Sequence, residues 1–424
     1  MRKLWLTLLT VPLIVVAAGC APAASADVLQ SSEPRQTPVE SAPDNRNTLV
    51  EGNNAFAFDL YRQVGEGSEN LFFSPYSISL ALAMAYAGAA GDTESQMAEA
   101  LRFYLSQEDM HEAFNDLDQE LAKRGEHAQG KDNEAFRLNI VNAIWGQKNY
   151  PFSEAYLDVL ARNYGAGLRV LDFQAEPEPS RKIINRWVEQ QTEDRIRDLI
   201  PQGAIDQLTR LVLTNAVYFN AAWDSQFERK ATSPGPFYLL SGQDVEVPMM
   251  RQTGSFGHYR GSNYDAVELP YDGREMSMVI LVPDQGEFET FEAGLENGVV
   301  RHAIDNLQRT QVRFSMPRFS LESTIDLKGA LSALGMRQAF DPGAADFSGM
   351  DGTTELYISD VLHKAFVELD EDGTEAAAAT AVVVGTTSMP ADPIRVSIDR
   401  PFIFLIQDIE TNSILFLGRV MNPS

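Results

Sequence analysis

The chain has 424 residues, 44% of them hydrophobic and 22% charged, with a formal net charge of −26 at pH 7. That composition supports a sizeable folded core and excludes a disordered or low-complexity protein. Phosphate binding needs a basic surface, so the acidic balance argues against a nucleic-acid partner. A single cysteine, Cys20, excludes any internal disulfide.

Taken in chain order, Arg2 and Lys3 precede an apolar run, Leu4–Gly19, that ends in Ala17-Ala18-Gly19-Cys20. A charged start, a short apolar core and small residues before a cleavage point describe a secretory signal over residues 1–19. The run is short for a membrane span. Small residues directly before a lone Cys resemble a bacterial lipoprotein signal, in which Cys20 is lipidated and becomes the mature N-terminus. An ordinary secretory signal with an unmodified Cys is the alternative. Residues 20–48, rich in Ala, Ser, Pro, Glu and Gln, read as a disordered tether. The folded domain is expected over 49–424, without an internal linker or repeat.

Within it, Ser74-Pro75 signals a helix start, with Ser as N-cap and Pro at the first helical position. Ile78 to Ala90 is apolar nearly all round and predicts a buried helix. Asp92-Thr93 begins another. Residues 177–200 read as an amphipathic helix whose apolar contacts are Ile183, Ile184, Trp187, Val188, Ile196 and Leu199. Residues 210–219, 357–370, 264–269, 276–282, 402–407 and 414–420 read as strands. Long helices mixed with mostly antiparallel strands predict an α+β fold.

The segment 368–390, ELDEDGTEAAAATAVVVGTTSMP, is the most informative. From Gly373 to Thr387 every residue except Glu375 is small or β-branched. At a period of two, Thr374, Ala376, Ala378, Thr380, Val382, Val384 and Thr386 share one uncharged face. Such a face enters a sheet without burying a charge. The segment therefore suits two states, an exposed loop and an inserted strand. ELDEDG is also half of a calcium loop, but the position that requires a bidentate Glu is Ala379, which excludes calcium.

EDGTEAAAAT closely resembles the reactive-loop hinge of inhibitory serpins, the suicide inhibitors of serine and cysteine proteases. The motifs NLFFSPYSISLALAMAYAGAAGDTESQM (70–97), LVLTNAVYFNAAW (211–223), ADFSGM (345–350), VLHKAFVELDEDGTEAAAAT (361–380) and RPFIFLIQDIETNSILFLGRVMNP (400–423) match that family in its order. The resemblance implies the serpin fold: a large, mostly antiparallel main sheet, further sheets, about nine helices and an exposed reactive loop at about 371–399. It implies a hinge from Glu371 through Asp372, Gly373, Thr374, Glu375, Ala376, Ala377 and Ala378 to Ala379. It implies a polar cluster called the shutter, comprising Ser74, Ser77, Asn215 and His363, beneath the point where the main sheet opens. It places Trp223 at the breach, the top of that sheet, and pairs Arg318 with Glu371. A seventeen-residue count from Glu371 sets the scissile bond at Thr387-Ser388.

What the resemblance implies functionally is a metastable inhibitor, not an enzyme. It has no cofactor, no metal and no catalytic residue, and a serine protease is its covalent partner. No Arg or Lys lies between Gly373 and Pro390, which disfavours trypsin-like targets and suits elastase-like or subtilisin-like ones. The stretch 107–131, where some serpins bind heparin, holds Lys123, Arg124 and Lys131 among many acids, so no heparin site is expected. A monomer is expected, exported and held at a membrane, in the periplasm or at the cell surface, through a lipid on Cys20, or else free in the extracellular space. A non-inhibitory serpin acting as carrier or chaperone is the alternative. A secreted hydrolase is disfavoured, since G-x-S-x-G and H-E-x-x-H are absent.

Overall fold

A computed structural model describes residues 25–38, 43–65, 67–126, 128, 136–374 and 392–424. Among them are ten α-helices and two sheets, an α+β arrangement. The main sheet has seven strands, in the order Asp27–Leu29, Leu168–Leu171, Arg137–Gln147, Leu211–Ala222, Gly373–Thr374, Asp360–Leu369 and Phe319–Asp326. It is mixed rather than uniformly antiparallel. Strand Arg137–Gln147 is parallel to Leu168–Leu171, and Leu211–Ala222 is parallel to Asp360–Leu369. The second sheet has nine strands, including Asp244–Arg260, Gln308–Pro317 and Ile394–Ser397 at one end.

Leu211–Ala222 is mostly apolar, carries no charge and lacks alternation, and all twelve of its residues are buried. Both of its faces are covered, which is the condition for such a run in a sheet. On one face lies the large core, with helix Pro75–Tyr86 inside it; every residue of that helix is buried. Ser74 caps the helix by accepting from the Ser77 N–H, with Pro75 at the first position. On the other face, helix Pro177–Gln191 sets Ile184 and Val188 into a second cluster with Trp145, Val212, Ala216 and Leu362.

The expected helix over 177–200 stops at Gln191. The Thr192 hydroxyl bonds back to the Val188 carbonyl, and Glu193 and Asp194 take positive φ. Ile196 and Leu199 are still fully buried, but from irregular chain, so their spacing continued the apolar pattern without continuing the helix.

Of the tether expected at 20–48, residues 25–38 and 43–48 are described, and these are docked on the domain rather than free. Asp27–Leu29 adds a strand to the sheet edge, antiparallel to Leu168–Leu171. The Arg35 guanidinium then donates to Asn115 at 2.9 Å and to Asp118 at 2.7 Å. The Gln36 carbonyl accepts from Asn115 and Gln119. Helix Pro43–Val64 begins six residues before the expected start of the domain at 49. The segment has too few apolar residues to build a core, but its backbone groups complete an open strand edge. Arg124, counted among the surface cations of 107–131, points inward and donates to Asp408 at 2.7 Å.

Arg35→Ala removes the main side-chain clasp of the N-terminal segment. The clasp is partly exposed, so the expected loss of stability is modest, about 1 kcal/mol. Limited proteolysis should cut ahead of residue 43 faster in the variant than in the native chain.

Candidate functional site

The central feature is the seam between the parallel strands Leu211–Ala222 and Asp360–Leu369. They pair from Val212↔Asp360 to Tyr218↔Phe366. Beyond that point they part, and Gly373–Thr374 sits between them, antiparallel to both. Thr374 is registered on Ala221 on one side and Leu369 on the other, and Gly373 on Ala222.

Thr374 was expected at the exposed start of a loop. It is instead 1% exposed, with its hydroxyl 3.1 Å from the Tyr271 hydroxyl. Gly373 has φ +152°, and a Cβ there would lie 2.2 Å from the Ala221 carbonyl oxygen. Only glycine lets the chain enter the seam this closely.

The turn that feeds this entry holds three acids, Asp370, Glu371 and Asp372, all buried. Main-chain and side-chain bonds fix it from the far end of the 211–222 strand. The Trp223 indole donates to the Asp370 carbonyl at 3.0 Å, and the Trp223 and Phe227 amides donate to the carbonyls of Asp372 and Glu371. Trp223 stacks on Tyr271 with ring centroids 4.6 Å apart.

Two cations neutralise the turn from its solvent side. Arg229, which is half exposed, pairs with Asp372, and this pairing holds its pKa above the usual arginine value. Arg318 approaches Glu371 at 3.9 Å, the expected pair, but too far for a hydrogen bond. The closer partner of Glu371 is the Thr232 hydroxyl, at 2.6 Å.

Lower in the seam, Asn142, Asn215 and His363 form one row across three adjacent strands, since Asn142 and His363 are both registered on Asn215. His363 Nε2 accepts from the Ser74 N–H at 3.2 Å, so its proton sits on Nδ1, which donates to the Asn215 carbonyl oxygen. The Asn215 amide donates to Ser77 Oγ and Asn142 Oδ1, each at 2.5 Å. Ser74 Oγ donates to the Leu415 carbonyl at 2.7 Å. The cluster ties the closed seam to the helix beneath it, and its polar groups satisfy one another, as burial requires. His363 is fully buried and neutral; desolvation pushes its pKa down to about 3.

The model of the family described as "Serpin (serine protease inhibitor)" matches residues 51–423. This chain belongs to the serpin family. An uncharacterized serpin-like protein of Thermococcus kodakarensis is 37% identical over 436 residues, covering 98% of each chain. Leukocyte elastase inhibitor A of Rattus norvegicus is 39% identical over 386 residues, covering 88% of this chain and 99% of its own. The structure of human thyroxine-binding globulin superposes with a TM-score of 0.80 at 30% identity, over 90% of this chain and all of that one.

The structure brings together Ser74, Ser77, Asn215 and His363, the residues expected as a shutter, and gathers Trp223 and Arg318, expected at the breach, around Glu371, Asp372, Gly373 and Thr374 of the expected hinge. Glu375, Ala376, Ala377, Ala378 and Ala379 of the hinge, Thr387-Ser388 and Cys20 lie outside the described residues. Sequence reasoning missed Asn142, Tyr271, Thr232 and Arg229. Asn142 had a signal, the one polar side chain inside the apolar run 140–145 of strand Arg137–Gln147. Arg229 had none, because only the fold carries it to Asp372.

His363 and His111 are both held near pKa 3 by burial, against 6.5 when exposed. Between those values the unfolded chain binds protons that the folded chain refuses. Their stability is therefore present above about pH 6.5 and is lost as pH falls, by up to about 1.4 kcal/mol per pH unit for each group. The urea midpoint should fall between pH 7 and 5.5, above the range where most carboxylates titrate. His363→Gln should show a shallower fall. It should also start about 1–3 kcal/mol less stable at pH 7, because its partners lose their match.

Proposed function

We propose that this serpin inhibits serine proteases by acting as a suicide substrate. The observation that carries the reading is the wedge of Gly373–Thr374 in the mouth of the seam. The chain that follows it, Glu375 to Thr387, continues with the uncharged alternate face a strand needs in order to extend that wedge. A protease attacks the Thr387 carbonyl and forms an acyl-enzyme. Cleavage frees the upstream segment, which zips down the seam as a new strand of the main sheet. The tethered protease is displaced before deacylation. The driving energy is stored in a kinetically stable native state.

Elastase-like and subtilisin-like enzymes are the proposed targets, because Val384 to Thr387 offers small and β-branched residues and no Arg or Lys lies nearby. The relative named as an elastase inhibitor is compatible with this. We further propose export and a lipid on Cys20 as the membrane attachment. The carrier reading, in the manner of thyroxine-binding globulin, is disfavoured because the inserting face lacks any charge or proline that would block insertion.

The test is incubation with a panel of elastase-like, subtilisin-like and trypsin-like proteases, followed by denaturing gels and mass spectrometry of the cut site. Stable complexes with the first two and little trapping of trypsin are expected, with cleavage at Thr387-Ser388. Thr387→Arg should redirect trapping to trypsin-like enzymes. Consistent cleavage upstream of Val382 in the trapped complex would sink the assignment.

Thr374→Arg probes the seam itself. The side chain is already buried between Ala221 and Leu369, so a guanidinium there is unpaired in the native state as well as during insertion. The variant should lose thermal stability and turn from inhibitor to substrate, cleaved without trapping. Glu375→Arg, on the alternate face, should retain most of its inhibition. Equal damage by the two substitutions would rule out alternation.

A further inference from the structure

One face of the second sheet runs against the charge of the whole molecule. Residues 249–256, 308–317 and 394–397 carry four arginines, Arg251, Arg309, Arg313 and Arg395, and no Asp or Glu, in a chain of net charge −26. Strand Gln308–Pro317 lies between the other two, antiparallel to one and parallel to Ile394–Ser397. Its alternation buries Val312, Phe314 and Met316 and turns Arg309, Gln311 and Arg313 outward.

Arg313 and Arg395 are direct register partners, so two guanidinium groups project from neighbouring strands on the same side. Both are exposed, and neither has an ion pair or hydrogen bond among the described residues. The nearest acids along the chain are Asp392, three residues before Arg395, and Asp305 and Asp399, which pair with Arg301 and Arg400 instead; across the sheet, Glu268 is registered on Gly257 at the edge of the patch.

Like charges directly opposite each other in a sheet are destabilising. Several exposed arginines elsewhere in this protein find carboxylates: Arg260 bonds Asp265 and Asp284, Arg274 bonds Asp224, and Arg301 bonds Asp305. The patch keeps four cations together and supplies them with no acid. Its position gives the reason. Arg395 lies eight residues beyond Thr387, on the strand that receives the chain after the reactive loop. A protease that engages the loop must rest beside this strand.

We propose that the Arg313–Arg395 face is a secondary docking surface for an acidic patch on the target protease. It rests on the inhibitory reading and adds to it the charge of the partner. The surrounding negative field of the serpin repels an acidic protease in every other orientation, so the patch both steers the encounter and sets its register. Fixed complementary charge of this kind acts mainly on the association rate and is screened by salt.

The experiment uses an elastase-class serine protease with an acidic surface beside its active site, both as active enzyme and with its catalytic serine replaced by alanine. At about 50 mM salt, Arg313→Gln with Arg395→Gln should slow association with both forms by about tenfold. Arg313→Glu with Arg395→Glu should slow it further, and the differences should shrink at about 500 mM. The fraction of encounters ending in a covalent complex should not change, because the loop and the seam are intact. The melting temperature should hold or rise, because two like charges have been removed.

An unchanged association rate in the double glutamine variant overturns the proposal. So does a variant that loses binding to dextran sulfate while its protease rates stay the same, which would make the face a polyanion site. If the active protease is never trapped, yet the inactive form binds and the double variant binds it more weakly, the inhibitory reading fails and the docking surface stands.

Discussion

The arrangement of the main sheet depends on one pair of strands that are bonded to each other along the seam and parted at its mouth by Gly373–Thr374. Leu211–Ala222 and Asp360–Leu369 are neighbours in a parallel ladder, which is slightly weaker per residue than an antiparallel one. A strand entering between them in the sense already taken by Gly373–Thr374 replaces one parallel ladder with two antiparallel ladders. The closed sheet therefore has a more strongly bonded alternative available. What keeps it closed is local. The Asn142–Asn215–His363 row spans the seam on its buried face and anchors it to the Ser74 helix cap. The row breaks only when its polar groups find other partners, and buried polar groups without partners are costly.

The breach solves a second problem. A segment that must leave the sheet's rim and run into its middle needs a turn, and this turn carries three consecutive acids. Their burial is tolerable because the main chain is fixed by Trp223 and Phe227, while Arg229 and Thr232 reach the carboxylates from outside. The charges thus stop at the rim, and the side chains that follow are small. The boundary between charged and uncharged residues at Asp372 and Gly373 is the boundary between what stays at the mouth and what can enter.

The same economy holds at the sheet's outer edge. Asp27–Leu29 covers the open side of Leu168–Leu171 and becomes the short outermost strand of the main sheet there. The second sheet turns its exposed arginines outward beside the point where the loop rejoins the body, while Val312, Phe314 and Met316 of strand Gln308–Pro317 are buried. Seam, breach and arginine face are therefore served by strands that continue into one another, 360–374 on one side of the loop and 392–408 on the other.

The sequence by itself determined the fold class and most of the core elements. The helix start at Ser74-Pro75, the strand pattern of 210–219 and the alternate small face after Gly373 are local patterns that burial and strand geometry dictate. It also determined the family, because motifs with a fixed order survive where single residues do not. Tertiary structure alone decided the rest. The polar, core-poor stretch 25–38 became a docked segment because a strand edge elsewhere offered backbone partners, which composition cannot register. The helix after Pro177 stopped at Gln191 although its apolar spacing ran on to Leu199. Thr374, legible as the first residue to enter the sheet, proved to be inside it already, held by Tyr271 and by the glycine before it. Arg229 reached Asp372 across 143 residues of chain, and Asn142 and His363 came to either side of Asn215 across 73 and 148. Such pairings are set by strand register, a property of how distant segments align, and no window of sequence contains it.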